Sequence, residues 1–100
     1  MPFVRYSVMT PKAGQADHLR SLLGQLLEFD RHREGFLFGF LLDPDRHHVH
    51  TFLGRATVWA SEAYAMESTL QQRHITLQSE IMQTVAEGTY DERSLQAKAS

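Results

Sequence analysis

Apolar and polar side chains alternate at the start of the chain. From residue 3 to residue 9, valine and tyrosine alternate with a mixed series that contains Arg5 and Ser7, which is typical of a strand with two different faces. The segment 10–14, TPKAG, interrupts this pattern because Pro11 and Gly14 favour a turn. Leucines then recur at helical spacing, with polar residues mostly on the opposite side, which predicts an amphipathic helix. These leucines are Leu19, Leu22, Leu23, Leu26 and Leu27.

The next segments have the pattern of a β-hairpin. Gly35 follows the cationic residues 31–33 and can adopt the left-handed conformation that ends many helices, so we expect the first helix to end before it. Residues 36–42, FLFGFLL, are too few for a helix and predict a second strand with two apolar faces. Turn-forming residues follow at 43–45, and a third, longer strand is predicted from about 48 to 59.

The C-terminal part of the chain is predicted to be helical and then polar. Ser61 is a suitable N-cap for a helical region that reaches about residue 86 and is interrupted near Ser68 and Thr69. The second half of this region has an apolar side that includes His74. We predict a short edge strand around 89–92, a single domain over 1–90, and a polar tail over 91–100.

Together these elements predict an α+β fold. The order β-α-β-β-α-(β) is that of a ferredoxin-like antiparallel sheet with helices on one face. Helices cover only that face, yet the second and third strands offer apolar residues on both faces. A contiguous apolar surface is unusual in water and commonly marks an interface. We therefore predict a homodimer in which two sheets pack face to face.

Composition and charge narrow the classes of function. The 100 residues suit one domain, and 42% hydrophobic with 22% charged residues is typical of a globular protein. A net charge of −2 with interspersed signs argues against nucleic acid as a partner, and no apolar run is long enough for a membrane span. The chain has no cysteine, and its first residues lack the pattern of a secretory signal. We therefore expect a cytoplasmic protein.

Several short segments resemble the antibiotic biosynthesis monooxygenase domain of the dimeric α+β barrel superfamily. They are the first strand, TPKAG before a leucine-rich helix, EGF at 34–36, VWASEA at 58–63 and QQRH at 71–74, and the resemblance covers about 3–86. It implies that two ferredoxin-like sheets form a barrel, and that a pocket between sheet and helices takes flat aromatic molecules. Some relatives oxidise anthrones or quinols with molecular oxygen and no metal or flavin, and others bind and degrade haem.

The resemblance also implies roles for individual residues. Trp59 matches the family's tryptophan at the end of the third strand and is expected to stack on a small aromatic ligand. Oxygenases of the family use an asparagine four residues earlier, whereas this chain contains no asparagine and has Arg55 at that position. We expect Arg55 to hold an oxyanion, His74 or Tyr64 to help remove a proton from the substrate, and no cofactor to take part.

Aromatic residues of the second and third strands are further candidates for ligand contacts. Phe36, Phe38 and Phe52 are assigned to the wall of the pocket. Phe36, Phe38 and Phe40 form a stripe at the spacing of a strand, and this stripe also suits a core or a dimer interface. Both interpretations remain open at the level of sequence.

Other functions are also compatible with the sequence. The absence of asparagine favours a non-catalytic protein that binds a hydrophobic small molecule, and His74 is a possible axial ligand in a haem-binding protein. Isomerisation or cyclisation without oxygen would use a similar pocket. The segment HHVH suggests a metal, but no third ligand accompanies His48 and His50 at a fixed spacing, so we predict no metal site.

Overall fold

A four-stranded antiparallel sheet with three helices on one face makes up the computed structural model, which describes residues 1–44 and 52–98. The order of the strands in the sheet is β2-β3-β1-β4, as in a ferredoxin-like α+β fold. None of the helices in these two ranges is long and apolar enough to cross a bilayer. The elements are β1 (Phe3–Met9), α1 (Ala16–Arg31), β2 (Phe36–Leu42), β3 (Leu53–Trp59), α2 (Glu62–Thr69), α3 (Gln72–Thr84) and β4 (Asp91–Gln96).

The boundaries of most elements agree with the sequence pattern. β1 and β2 occupy the predicted ranges, and the helical region is interrupted between Thr69 and Gln72, as predicted. β3 begins at Leu53, and the earlier part of the predicted third strand, with His48 and His50, lies outside the described residues. Gly35 adopts a left-handed conformation, with φ of 83°, in the loop after α1.

The last strand differs from its prediction. β4 pairs with β1 over Asp91–Gln96, so this part of the predicted polar tail belongs to the sheet, and the strand lies beyond the predicted range 89–92. All six residues of β4 are exposed. Because β4 is an edge strand without an apolar side, its sequence lacks the alternation by which strands are recognised.

The register of the central strands decides which side chains face the helices. In the antiparallel pair of β1 and β3, Arg5 lies opposite Thr57 and Ser7 lies opposite Arg55. Leu53 and Trp59, at the two ends of β3, are buried on the same face. The helix-covered face of the sheet therefore has apolar ends and a polar middle.

A β-bulge in β2 divides the predicted phenylalanine stripe. The register with β3 shifts between Phe36 and Phe38, so that Phe36 lies opposite Trp59 and Phe38 lies opposite Val58. Phe36 is consequently on the helix-covered face, whereas Phe38 and Phe40 are on the outer face. The single stripe predicted from the sequence is wrong, because a bulge changes the face of every residue after it.

Two apolar clusters form the core. The larger joins β1, α1, β3 and α3, and the smaller joins the other end of the sheet to α2. The larger cluster consists of Met9, Leu19, Leu22, Leu23, Leu26, Leu53, Leu77, Ile81 and Val85, and the smaller consists of Phe3, Trp59 and Ala65, with Phe36 and Tyr64 packed against it. The polar middle of β3 lies between Leu53 and Trp59, and thus between the clusters.

The outer face of the sheet is apolar and has no helix over it. Phe38 and Phe40 are 56% and 50% exposed on β2, and Leu95 of β4 is 56% exposed. Val4, Tyr6, Val8 and Val58 of the two central strands are half-buried on the same face. A surface of this kind is typical of a protein interface.

Candidate functional site

Five buried polar side chains lie between the two apolar clusters. α1 contributes Asp30, β3 contributes Arg55 and Thr57, and the α2–α3 region contributes Ser68 and His74. The alternation of β3 directs Arg55, Thr57 and Trp59 to the helices together, which agrees with the parity expected for a regular strand. Buried polar groups are costly unless they are paired, so a concentration of them is a candidate site.

The centre of this group is an ion pair between Asp30 and Arg55. The Arg55 guanidinium donates through Nη1 to Oδ2 of Asp30, and the two side chains are 7% and 1% exposed. Ser68 Oγ donates a second hydrogen bond, of 2.9 Å, to Oδ1 of Asp30. Both carboxylate oxygens are therefore occupied, and α1, α2 and β3 are joined through one side chain.

Burial affects the charged forms of both partners. It raises the pKa of Asp30, while the Arg55 guanidinium and the Ser68 hydrogen bond act in the opposite direction. Burial also lowers the pKa of Arg55, and the Asp30 carboxylate opposes this change. Because each charge compensates the other, removing either partner alone leaves an unpaired buried charge, which typically costs about 3–5 kcal/mol.

Arg55 retains an unused hydrogen-bond donor. Its Nε is buried and has no partner within the described part of the chain. Buried donors are nearly always paired, so an exception calls for an explanation such as a ligand or a water molecule. Arg55 lines a small cavity, into which a ligand atom can bring an acceptor.

This cavity lies beneath an open cleft. The cavity has a volume of about 10 Å³, which is room for roughly one water molecule. The cleft above it has a volume of about 250 Å³ and shares Arg5, Thr69 and His74 with the cavity. Ile75, Gln78 and Glu92 complete the lining of the cleft. The cleft opens between α3 and the edge of the sheet, so a ligand can enter there.

His74 lies where the cleft meets the cavity. Its residue is 8% exposed, and its ring meets Phe29 edge to face with centroids 6.5 Å apart. Burial, followed by the positive charges of Arg55 and Arg5, lowers the pKa of His74 to about 4. The imidazole is therefore neutral at pH 7. In this form it can donate and accept hydrogen bonds with a ligand, but it is a weak acceptor of a proton.

Trp59 forms one wall of the small cavity. It is 2% exposed, its Nε1 donates to Thr57 Oγ1 at 2.9 Å, and the Phe36 ring stands at 89° to it with centroids 5.4 Å apart. The cavity beside it is too small for an aromatic ring. In this conformation Trp59 is a packed core residue, and the cavity beside it has room for about one atom of a ligand.

Three of the predicted site residues lie elsewhere. Tyr64 packs against the smaller apolar cluster and does not line the cavity. It lines a separate surface cleft with Arg33, Glu34 and Glu67. Phe38 is on the outer face, and Phe52 is exposed directly before β3. The structure thus brings together Trp59, Arg55 and His74, with Phe36 against Trp59.

The sequence interpretation missed three residues of this site. Asp30 lies on the leucine side of α1, four positions after Leu26, and this spacing is the signal that could have marked it as buried. Ser68 was considered only as a helix interruption, although it is buried. Arg5 had been placed in β1 without a role, because its neighbours across the sheet depend on register.

The fold is shared with solved structures of low sequence identity. No protein-family model matches the sequence, and no curated protein matches it significantly. SnoaB, a cofactor-independent oxygenase from Streptomyces nogalater, is 14% identical, with a TM-score of 0.80 over 99% of this chain and 95% of that chain. Rv0793 from Mycobacterium tuberculosis is 13% identical, with a TM-score of 0.85 over 100% and 98%.

A third similar structure is that of a candidate antibiotic biosynthesis monooxygenase from Deinococcus radiodurans. It is 14% identical, with a TM-score of 0.83 over 98% of this chain and 94% of that chain. The chain adopts the fold of the antibiotic biosynthesis monooxygenase proteins. This agrees with the resemblance noted in the sequence, and at these identities the similarity concerns the fold.

Haem does not fit the site in this structure. The cleft of about 250 Å³ is smaller than the sites of drug-sized ligands, which have about 300–1,000 Å³, and haem is larger than such ligands. His74, the residue considered as an axial ligand, lines the cleft but is only 8% exposed and packs against Phe29. We derive no function through haem.

Proposed function

We propose that this protein is a cofactor-independent monooxygenase of small aromatic or quinol-type compounds. The observation that supports it is the meeting of Trp59, Arg55 and His74 around a small cavity under a cleft between the helices and the sheet. The fold that this chain shares with SnoaB, a cofactor-independent oxygenase, also supports the proposal. A substrate ring in the cleft contacts Ile75 and His74, and one of its oxygen atoms reaches Arg55.

The chemistry required of the protein is modest. The substrate loses a proton and passes electrons to molecular oxygen; in an anthrone, two C–H bonds and the O–O bond break, and a carbonyl group and one water form. One methylene group and one O₂ give one C=O and one H₂O, so no external reductant is required. The protein supplies a donor for the anionic oxygen at Arg55 and a cavity with little water.

Oxygen uptake tests this proposal. We expect chelator-treated protein to consume oxygen with at least one member of a panel of anthrones and quinols, and to place one atom of labelled oxygen in the product. His74→Gln, which replaces the imidazole that contacts the substrate, is expected to reduce kcat/KM by about threefold to tenfold. His18→Gln, which changes an exposed histidine of α1, is the matched control and is expected to retain the activity.

Trp59→Phe serves in the same assay as a variant of the cavity wall. Phenylalanine keeps an aromatic ring, whereas Trp59→Ala would leave a large void in the core at a cost of about 3–5 kcal/mol. Uptake no faster than the uncatalysed reaction for every compound, or equal activity of His74→Gln and His18→Gln, would refute the proposal.

A non-catalytic binding protein is the second candidate. The absence of asparagine and the low pKa of His74 favour it, since a group with a pKa of about 4 is a weak proton acceptor at pH 7. Compounds that quench the fluorescence of Trp59, the only tryptophan, without oxygen uptake would support this second function.

We also propose that the protein acts as a homodimer through its outer sheet face. The half-exposed phenylalanines of β2 and the apolar side chains of β1 and β3 support sheet-to-sheet packing. In that arrangement the cleft of each protomer remains open, because it lies on the opposite, helix-covered side of the sheet.

A further inference from the structure

The small cavity has the size and the donor for one oxygen atom. Its volume of about 10 Å³ admits one small atom with its hydrogen bond, but not a ring or a carboxylate group with both oxygens. Arg55 lines this cavity, and its Nε is one of two buried donors, with Arg33 Nε, that have no partner in the described residues. A guanidinium N–H bonds an anionic oxygen more strongly than a neutral one, because charge-assisted hydrogen bonds are about twice as strong.

Asp30 and Ser68 fix the orientation of Arg55. Asp30 binds Nη1 of Arg55 with one carboxylate oxygen, and Ser68 holds the other oxygen at 2.9 Å. The guanidinium is planar, so fixing Nη1 limits the directions in which Nε–H can point. Asp30 therefore balances the charge of Arg55, while Nε–H has no partner among the residues that the structure describes.

The groups around the cavity leave little capacity for removing a proton from a ligand. Glu92 is paired with Arg5 at 2.8 Å, and Asp30 is paired with Arg55. Tyr90, behind the cleft, accepts a hydrogen bond of 3.0 Å from Gln78. His74 is the remaining titratable side chain, and with a pKa of about 4 it is a weak proton acceptor at pH 7. The ionisable groups that face the cavity and cleft are Arg5, Asp30, Arg55, His74 and Glu92.

We propose that the site binds its substrate as a preformed phenolate or enolate, whose oxyanion accepts the Arg55 Nε hydrogen bond, with Asp30 and Ser68 as positioning residues. The substrate class is then phenols or enols that ionise near neutral pH. This inference rests on the proposed function, from which it takes the location of the site. It concerns binding, however, and requires no reaction with oxygen.

The coloured acid para-nitrophenol provides the test. Its methyl ether, para-nitroanisole, has a similar shape but cannot ionise and serves as the neutral control. Binding is followed by quenching of Trp59, and ionisation of the bound phenol by its own absorption. We expect the bound phenol to have its pKa lowered by at least about one unit, which equals about tenfold tighter binding of the anion than of the neutral form. The ether is expected to bind at least about tenfold more weakly than the anion.

The matched variant is the double substitution Asp30→Asn with Arg55→Met. It removes the pair while keeping the net charge of the chain, so the long-range field on the ligand is unchanged. We expect the pKa of the bound phenol to return to its value in water, and the anion and the ether to bind equally. If this variant retains the wild-type shift, or if wild-type protein binds neither compound at millimolar concentration, the proposal is overturned.

Ser68→Ala tests the positioning role separately. It keeps both charges and removes one of the hydrogen bonds to Asp30. We expect anion binding to weaken by about threefold to tenfold with the ether unaffected, and Ser68→Thr, which keeps the hydroxyl, to restore it. Equal weakening for anion and ether would indicate a purely structural role and overturn the assignment. A failure of oxygen uptake with a lowered phenol pKa would refute the oxygenase alone.

Discussion

The buried histidine makes the stability of the fold depend on pH. The folded-state pKa of His74 is about 4, against 6.5 for an unperturbed histidine, so the unfolded chain binds more protons between these values. The free energy of unfolding therefore falls as pH decreases below about 6.5, by at most about 1.4 kcal/mol per pH unit from this group. Asp30, whose pKa is raised, acts in the opposite direction at the acidic end.

We therefore expect His74→Gln to have a flatter stability profile than the wild type between pH 6.5 and pH 4. Urea unfolding across this range measures the difference, and Asp30, present in both proteins, cancels in the comparison. His18→Gln is expected to follow the wild-type profile, since His18 is exposed. Parallel profiles for His74→Gln and the wild type would mean that His74 titrates as in the unfolded chain.

At the scale of single residues, the sequence predicted some members of the site but not the side chains that they contact. The parity of β3 was sufficient to direct Arg55 and Trp59 to one face. The ion pair of Asp30 with Arg55 depends on how α1 packs across the sheet, which no local pattern contains. The packing of Trp59 against Phe36 likewise depends on the bulge in β2.

At the scale of elements, the turn from α1 to β2 depends on Gly35. Its φ of 83° is unfavourable for other residues by about 1–2 kcal/mol, and a Cβ at this position would overlap the Tyr64 ring. We expect Gly35→Ala to lower the free energy of unfolding by about 2–4 kcal/mol. Chemical denaturation measures this loss.

Gly88→Ala is the matched control for the turn. Gly88 has a φ of 78° with no atom near the added Cβ, so only the backbone cost of about 1–2 kcal/mol is expected. A Tyr64→Ala background removes the ring but keeps the Tyr64 Cβ at 2.5 Å from the added group, so it is expected to reduce the effect of Gly35→Ala in part. Equal losses of unfolding free energy in Gly35→Ala and Gly88→Ala would show that overlap with Tyr64 does not contribute to the destabilisation.

The type and order of the elements followed from hydrophobic periodicity, and the exceptions have physical causes. β4 was placed too early because an exposed edge strand such as DERSLQ has no apolar alternation. The bulge between Phe36 and Phe38 was missed because FLFGFLL is apolar at nearly every position, so either register would satisfy its pattern.

At the scale of the whole molecule, the outer sheet face is the surface on which assembly depends. Phe38 lies on this face opposite Val58 and is 56% exposed in the single chain. Burying a phenylalanine contributes about 1.5–3 kcal/mol, and a glutamate in its place would bury a charge against apolar residues. We expect Phe38→Glu to raise the dimer dissociation constant by at least about tenfold.

Sedimentation across a concentration series measures this change. Leu70→Glu is the control, because Leu70 is 74% exposed at the end of α2, on the helix-covered side, and its replacement is expected to leave the dimer intact. Binding of para-nitrophenol should persist in the Phe38→Glu monomer, since the cavity and cleft lie on the helix-covered side of the sheet and Phe38 lies on the outer face. A wild-type protein that remains monomeric at high concentration would contradict the dimer, and loss of binding in the monomer would mean that the second chain shapes the cleft.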